Sequence, residues 1–293
     1  MNNILTFNNI TKYFNELKAL DNVTINIPRN SIYGILGSNG SGKSTLFRIV
    51  SNLILKYTGT IKFENKILNS STKDLIDSFG FLIENPSFYE YLSGQQNLEL
   101  LSRISQSDSD NIENILKLVE LSDRANDKVR TYSYGMKQRL GLAQTLLHKP
   151  KILILDEPNN GLDPKGIINM SNIIKRLHED GKTIILSTHI LTEIESLCTH
   201  FTILKNGKNI ATNSIKNLLS KSNHYTIEVN NIKSAIKLLS KIETIQILSS
   251  DDNFINFTSE NKIDNLFFLK HFDNKITIYQ LLKKSGLIKL FND

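Results

Sequence analysis

The chain has one cysteine and no tryptophan in 293 residues. With Cys198 alone, no intramolecular disulfide can form, so a reducing compartment suits the protein. The apolar spacing of Ile190, Ile194, Leu197 and Cys198 reads as helical and makes the thiol a packing group. Also missing is any apolar run near the ~18 residues that a membrane-spanning helix needs. The start, MNNILTFNNITKYF, has neither the basic region nor the apolar stretch of a signal peptide. Charge is not one-sided: 35 basic and 29 acidic residues leave a net +6. That excess suits contact with anionic headgroups or nucleotides and does not by itself indicate nucleic-acid binding. There is no internal repeat and no low-complexity tract.

What is present is enough chain for one large domain and a smaller one. Alternating runs at Ile4–Phe7, Val23–Ile27 and Thr60–Phe63 predict antiparallel strands. Ile32–Leu36 is a compact apolar run that ends in a glycine-rich loop, and Lys43–Leu55 reads as the helix after it. Phe79–Ile83 is a further strand. Residues from about 91 to 148 form a helical region with apolar periodicity. Ile152–Leu155 and Thr183–Ser187 have the pattern of buried strands, and Pro164–His178 is a helix opened by proline. Phe201–Ile210 predicts a hairpin turning at Asn206-Gly207. Strands alternating with helices argue for a parallel sheet covered on both faces. Composition shifts near Ser220–Asn223, which divides the chain into domains at 1–220 and 223–293. The second part reads as βαββαβ: strand Tyr225–Val229, helix Ile232–Lys241, strands Thr244–Leu248 and Phe254–Phe257, helix Ile263–His271, strand Lys275–Tyr279, then an end helix.

The stretch Gly37-Ser38-Asn39-Gly40-Ser41-Gly42-Lys43-Ser44-Thr45 matches G-x-x-x-x-G-K-[ST]. Gly40 and Gly42 let backbone amides curl around phosphate oxygens without a Cβ in the way. The helix N-terminus that follows adds partial positive charge. Lys43 can reach the β- and γ-phosphates, and the Ser44 hydroxyl can ligate Mg²⁺. Ile152–Leu155 is followed by Asp156 and Glu157, two carboxylates at the carboxyl edge of a buried strand, where ligands bind. Asp156 would hold Mg²⁺ through water, and Glu157 would act as general base on the attacking water. A glycine-rich turn with a chance lysine is the alternative for the first motif, and the flanking strand and helix argue against it; a strand ending in a solvated acidic turn is a fair account of the second motif alone. Together, and in this order, they point to a nucleotide triphosphatase.

Between these motifs stands Ser133-Tyr134-Gly135-Met136-Lys137-Gln138-Arg139, which resembles the degenerate signature S-x-G-x-x-Q-R of ABC-type ATPases. After them come Gly161-Leu162-Asp163-Pro164, similar to that family's D-loop, and Ser187-Thr188-His189, similar to its switch histidine. The resemblance spans about residues 3–215. It implies an α/β P-loop fold, an ABC nucleotide-binding domain with an antiparallel β subdomain and a helical subdomain at about 91–148, here joined to a small C-terminal α+β domain. It implies ATP and Mg²⁺ as ligands, and two copies head to tail around two ATP molecules. In such a dimer Ser133 and the backbone at Gly135 would face the γ-phosphate on the other copy's loop, His189 would touch that phosphate and orient Glu157, and Asp163 would couple the two sites. The family also stacks an aromatic residue on adenine, for which Phe14 and Tyr13 are the candidates and the spacing from Ala19-Leu20-Asp21 favours Phe14. A membrane permease on a separate chain is implied, with this chain held at the cytoplasmic face of the membrane.

Three departures narrow the resemblance. Most members have glutamine where this chain has Glu84, which keeps an oxygen ligand for Mg²⁺ but adds negative charge. Glu84 followed by Asn-Pro-Ser-Phe-Tyr and Leu92-Ser-Gly-x-x-Asn-Leu98 resembles the bacitracin and lantibiotic group of ABC exporters, which expel antimicrobial peptides. Tyr134, where the common signature has glycine, fits that group, as does a short C-terminal extension; Asn159-Asn160 after Pro158 are turn formers. His224 and His271 are isolated in sequence and read as surface or packing residues, which leaves the extension a structural or interaction role. Two other functions stay open: an ABC ATPase of another exporter, and a non-transport ABC ATPase acting on nucleic acid or ribosomes. The long coiled-coil insertion or second cassette typical of the latter is missing, so no nucleic-acid partner is expected.

Overall fold

The computed structural model describes residues 2–68, 77–107, 111–261, 263–264, 267–268, 271–272, 276–284 and 287. They divide into two compact units, Met1–Thr212 and Asn213–Asp293. That division lies at Thr212/Asn213, earlier than the composition shift at Ser220–Asn223.

The first unit opens with two long strands, β1 (Asn3–Phe14) and β2 (Leu17–Pro28), paired antiparallel. Their buried alternation, with Leu5, Phe7, Ile10, Val23, Ile25 and Ile27 facing inward, is what a sheet with one wet face requires. Next come β3 (Ile32–Leu36), helix α1 (Lys43–Val50), β4 (Thr58–Phe63), β5 (Lys66–Leu68) and β6 (Phe79–Leu82). The helical part follows as α2 (Gly94–Ile104), α3 (Ile112–Leu118) and α4 (Tyr134–Leu146). Then β7 (Ile152–Leu155), α5 (Pro164–Glu179), β8 (Thr183–Thr188), α6 (Leu191–Leu197), β9 (His200–Lys205) and β10 (Lys208–Ser214) complete the sheet. One sheet has the order β2-β1-β4-β5 and is antiparallel; the other has the order β10-β9-β3-β8-β7-β6. In the second, β9, β3, β8, β7 and β6 run parallel. Helix α1 lies in the core between the sheets: its Leu46, Phe47, Ile49 and Val50 share one apolar cluster with Leu5 and Phe7 on one side and Tyr33, Ile152 and Ile185 on the other.

Helix α1 stops at Val50, five residues before the predicted Leu55. Asn52 takes a left-handed φ of 60°, and the amides of Asn52 and Ile54 turn back onto the carbonyls of Ile49 and Arg48. This closure ends the helix and leaves Leu53 and Leu55 exposed. Helix α6 begins after Ile190, so Cys198 caps its end rather than sitting inside it; the thiol is buried beside Gly34 and Ile194. Among the described residues no helix is long and apolar enough to cross a membrane.

The second unit contains α7 (Ile215–Lys221), β11 (His224–Val229), α8 (Ile232–Leu239), β12 (Ile245–Ser250), β13 (Phe254–Ser259) and β14 (Ile278–Lys284). Its sheet is fully antiparallel in the order β12-β13-β11-β14. The last strand is three residues later than the predicted Lys275–Tyr279. Pairing decides this: β14 runs along the whole of β11, from Val229 opposite Ile278 to His224 opposite Lys284. Those backbone bonds outweigh the local alternation that marked the earlier segment. Ile263 and Phe268 are buried in this unit's core; the rest of the predicted helix between them and the predicted end helix lie largely outside the described residues. His271 stacks on Phe267, a packing contact.

Candidate functional site

Parallel register assembles the site. Leu36 at the end of β3 pairs with Thr188 at the end of β8, Leu186 with Leu155 of β7, and Leu155 with Leu82 of β6. The segments leaving these strands therefore emerge side by side at one sheet edge: the Gly37–Thr45 loop, His189, Asp156-Glu157, and Glu84. All five residues of β3 and all four of β7 are buried, so the edge stands on a rigid floor.

The phosphate loop is held from outside as well as from below. Gly42 has φ 108°, and a Cβ there would lie 2.9 Å from the Ala19 carbonyl oxygen and 2.7 Å from Leu20. Asn206 and Gly207, with φ 51° and 74°, form the β9–β10 turn. From that turn the Gly207 amide donates to the Ser41 carbonyl at 3.1 Å, and its carbonyl accepts from the Asp21 amide at 2.8 Å. Gly42 caps α1 without any side-chain hydrogen bond, and no acidic residue occupies the first turn. The positive end of the helix thus faces the loop uncompensated, as an anion site requires. Lys43 is buried; its ammonium donates to the carbonyls of Gly37 (2.7 Å) and Ser38 (3.1 Å) and stands 3.3 Å from Glu157 Oε1.

Two clefts meet here. One, of about 470 Å³, is lined by Phe14, Leu17, Lys18, Ala19, Asn206 and Gly207, by Glu157, and by Asn39, Gly40, Gly42, Lys43, Ser44 and Thr45 of the loop. Phe14 lines it and Tyr13 does not; Lys12 sits over the Phe14 ring at 4.7 Å, and Lys18 over the Tyr13 ring at 5.6 Å. Ser41 is buried beneath the loop, its hydroxyl beside Gly37. At the mouth, a hydrogen bond from Lys18 to Asp21 raises the lysine above its ordinary value and holds the carboxyl below the usual carboxylate range. The second cleft, of about 400 Å³, is lined by Ser44, Glu84, Asn85, Tyr134, Gln138, Asp156, Glu157 and Asn160. Ser44 and Glu157 belong to both.

The acidic pair is braced by Ser187, which the sequence marks only as a member of the Ser187-Thr188-His189 stretch, with no role of its own. Ser187 Oγ accepts from the Glu157 amide at 2.9 Å and donates to Asp156 Oδ1. Glu157 holds a left-handed φ of 46°, a conformation that costs an L-residue energy and persists where neighbours enforce it. His189 Nδ1 lies 3.1 Å from Glu157 Oε2. Glu84 also has a positive φ, 67°, and pairs with Arg48. Arg48 follows Ser44 by one helical turn, so its place on the cleft side of α1 was readable from i, i+4 spacing. Ser187 was visible as the polar end of an apolar strand and the first residue of the Ser187-Thr188-His189 stretch, and neither signal shows that it braces the acidic pair.

Ser133, Gly135 and Asp163 line neither cleft. Ser133 caps α4, its hydroxyl accepting from the Met136 amide at 3.3 Å. Asp163 caps α5, accepting from the Gly166 amide at 3.0 Å ahead of Pro164. Both side chains are exposed.

Ser44 and Asp156 both line the second cleft, and their oxygen donors suit a hard cation such as Mg²⁺. The open amide-lined loop suits a polyphosphate.

A family model described as ABC transporter matches residues 20–160. The chain is 34% identical over 294 residues to the bacitracin transport ATP-binding protein BcrA of Bacillus licheniformis, covering 99% of this chain and 90% of that one. It is 39% identical to the lantibiotic transport ATP-binding protein SrtF of Streptococcus pyogenes, covering 70% and 88%. Among solved structures, a dimeric ATP-binding cassette in a post-hydrolysis state with ADP and Pi superposes with a TM-score of 0.63 at 28% identity, covering 72% of this chain and 98% of that one.

Proposed function

This chain belongs to the ATP-binding subunits of ABC transporters, and from that premise we propose that it hydrolyses ATP at Glu157 to power the expulsion of antimicrobial peptides of the bacitracin and lantibiotic type. The observation that carries the ATPase chemistry is the convergence of the phosphate loop, Asp156, Glu157, His189 and Glu84 at one sheet edge. The peptide reading rests on the similarity to BcrA, which runs through both units of the chain.

In this reading the backbone from Gly37 to Thr45 and the Lys43 ammonium hold the β- and γ-phosphates, and Phe14 presents one ring face to adenine while Lys12 covers the other. Ser44, Asp156 and Glu84 supply oxygens to Mg²⁺, which when bound offsets phosphate charge. Glu157 takes the proton of the attacking water, and His189 keeps the Glu157 carboxylate aimed. Lys43, 3.3 Å from that carboxylate, keeps a positive charge beside it. Because Ser133 and Gly135 stand apart from the clefts of their own chain, they serve the nucleotide of a second copy, head to tail, with Asp163 between the sites. A membrane permease on a separate chain converts closure into transport, and this subunit sits on its cytoplasmic face. The ATP chemistry belongs to residues 1–220; residues 223–293 have a structural or interaction role.

The test replaces Glu157 with Gln. Turnover should fall by about 100-fold or more while ATP binding persists. Hydrolysis at the wild-type rate would remove Glu157 as the base. Deleting the gene in its host should sensitise cells to bacitracin or a lantibiotic; unchanged sensitivity to all peptide antibiotics would sink the cargo assignment while leaving the ATPase standing.

A further inference from the structure

Tyr134 is the second residue of the Ser133–Arg139 motif and the first of helix α4. Its hydroxyl donates to Asn85 Oδ1 at 2.9 Å and accepts from Gln138 Nε2 at 2.8 Å. Gln138 also reaches Asn85 Oδ1, at 3.4 Å. The three side chains form a closed triangle, and all three line the cleft that holds Ser44, Asp156 and Glu157. Gln138 is buried, so this triangle is where its amide is satisfied.

The ring has a second contact. Gly161 turns with φ 75° directly against it: a Cβ there would come 3.1 Å from Tyr134 Cε1. Next to it, a Cβ on Gly135 would meet Leu162 at 3.4 Å. The start of α4 is thus seated on the turn that leads from Glu157 to Asp163, and tied by one hydroxyl to the residue after Glu84. Further along the same helix, Gly141 lies so close to Pro86 that a Cβ would be 2.8 Å from it. Helix α4 and the Glu84–Pro86 segment are therefore in contact at two levels, a polar clamp at Tyr134 and an apolar one at Gly141.

We infer that Tyr134 is a positioning residue, clamping the N-terminus of α4 to the Glu84–Asn85 loop through its hydroxyl, so that the loop and the helix end move as one body during turnover. The inference rests on the ATPase reading above. Tyr134 lines the second cleft and not the first, so the clamp acts on the catalytic step and not on capture of the nucleotide. A change in the Glu84 loop is transmitted to Ser133 and Gly135 through this triangle. The loop's neighbour Asn85, an amide without charge, can accept both hydrogen bonds without competing for the ion pair between Glu84 and Arg48.

The experiment uses the full chain and the variants Tyr134→Phe, Asn85→Ala and the double variant. Tyr134→Phe keeps the ring on Gly161 and removes only the hydroxyl. Both single changes break the Tyr134–Asn85 hydrogen bond, and each should lower kcat about fivefold, the worth of that shared bond at ordinary net strength. The double variant should also lie about fivefold down, rather than the roughly twenty-fivefold that independent effects would multiply to. Affinity for a fluorescent ATP analogue should remain within about twofold of wild type, as fits a clamp that binds no nucleotide. A wild-type kcat in Tyr134→Phe, a double variant that falls by the product of the two, or a loss expressed in ATP affinity instead of kcat would each overturn the clamp. A wild-type chain that binds the analogue but never hydrolyses ATP, alone or with its permease, would instead overturn the ATPase reading itself.

Discussion

Two glycines with positive φ give a quantitative test of how the phosphate loop is held. Gly42 has φ 108° and Gly181 has φ 87°. An alanine at either position pays for a left-handed backbone, about 1–2 kcal/mol. At Gly181 nothing lies within 4 Å of the added Cβ, so that cost stands alone. At Gly42 the Cβ meets Leu20 at 2.7 Å and the Ala19 carbonyl oxygen at 2.9 Å. Leu20 can rotate, but the carbonyl is backbone, fixed by the neighbouring bond from the Asp21 amide to Gly207. Relieving the clash adds about 1–3 kcal/mol. Gly42→Ala should therefore cost about 2–5 kcal/mol against about 1–2 for Gly181→Ala. At about 2–4 °C per kcal/mol for a unit of this size, thermal unfolding separates the two. Repeating the melts with Mg-ATP sharpens the comparison. At ATP about 100 times its Kd, the wild type and Gly181→Ala should each gain about 2.7 kcal/mol. Gly42→Ala should gain much less, because its displaced loop no longer aims its amides at phosphate. Equal Tm values for the two variants, with equal gains from ATP, would refute the argument that Ala19 and the Asn206-Gly207 turn fix the loop.

Removing the His189 ring should lower kcat by about tenfold to a hundredfold, the worth of a hydrogen bond to a charged group, without weakening ADP binding; steady-state hydrolysis and an ADP titration check both halves. Burial pushes the Cys198 thiol up, so a thiol reagent at pH 8 should leave the folded protein untouched and react only as denaturant unfolds it. Burial lowers His200 below its ordinary 6.5. The unfolded chain then binds this proton first, so stability should fall as pH drops from above 6.5 toward the folded value and level off beneath it. His200→Gln should flatten that slope in denaturant titrations between pH 7 and 5; an unchanged slope would remove His200 as its source. The carboxyls held low, Asp21, Glu64 and Glu90, titrate below this window.

Much of this protein was legible from residues in order along the chain. Ile32–Leu36 and Ile152–Leu155 were readable to the residue because a strand buried on both faces leaves an unbroken apolar run. The hairpin at Asn206-Gly207 was readable because few residues tolerate two successive positive φ angles. Elements whose limits depend on distant partners were less so. Helix α1 has helix-forming apolar residues through Leu55, yet the turn at Asn52 closes it. Strand β14 sits where β11 offers it backbone partners rather than where its own alternation begins.

The same division holds for the site. The sequence by itself determined which chemistry is possible, because phosphate binding, metal ligation and proton transfer each demand particular residues at short fixed spacings. Lys43 follows Gly42 and Glu157 follows Asp156 whatever the rest of the chain does. Only the tertiary structure decided how those groups meet. The parallel register of four strands brings Glu157 within 3.3 Å of Lys43 and 3.1 Å of His189. It also recruits Ser187, Arg48 and Asn85, whose partners lie 30 or more positions away. No local spacing encodes such contacts, since strand pairing and helix packing are set by burial across the whole core. The loop at Gly37–Thr45 reads as a phosphate site in sequence, and the fold sets it beside Glu157 and His189, the residues proposed to act on what it holds.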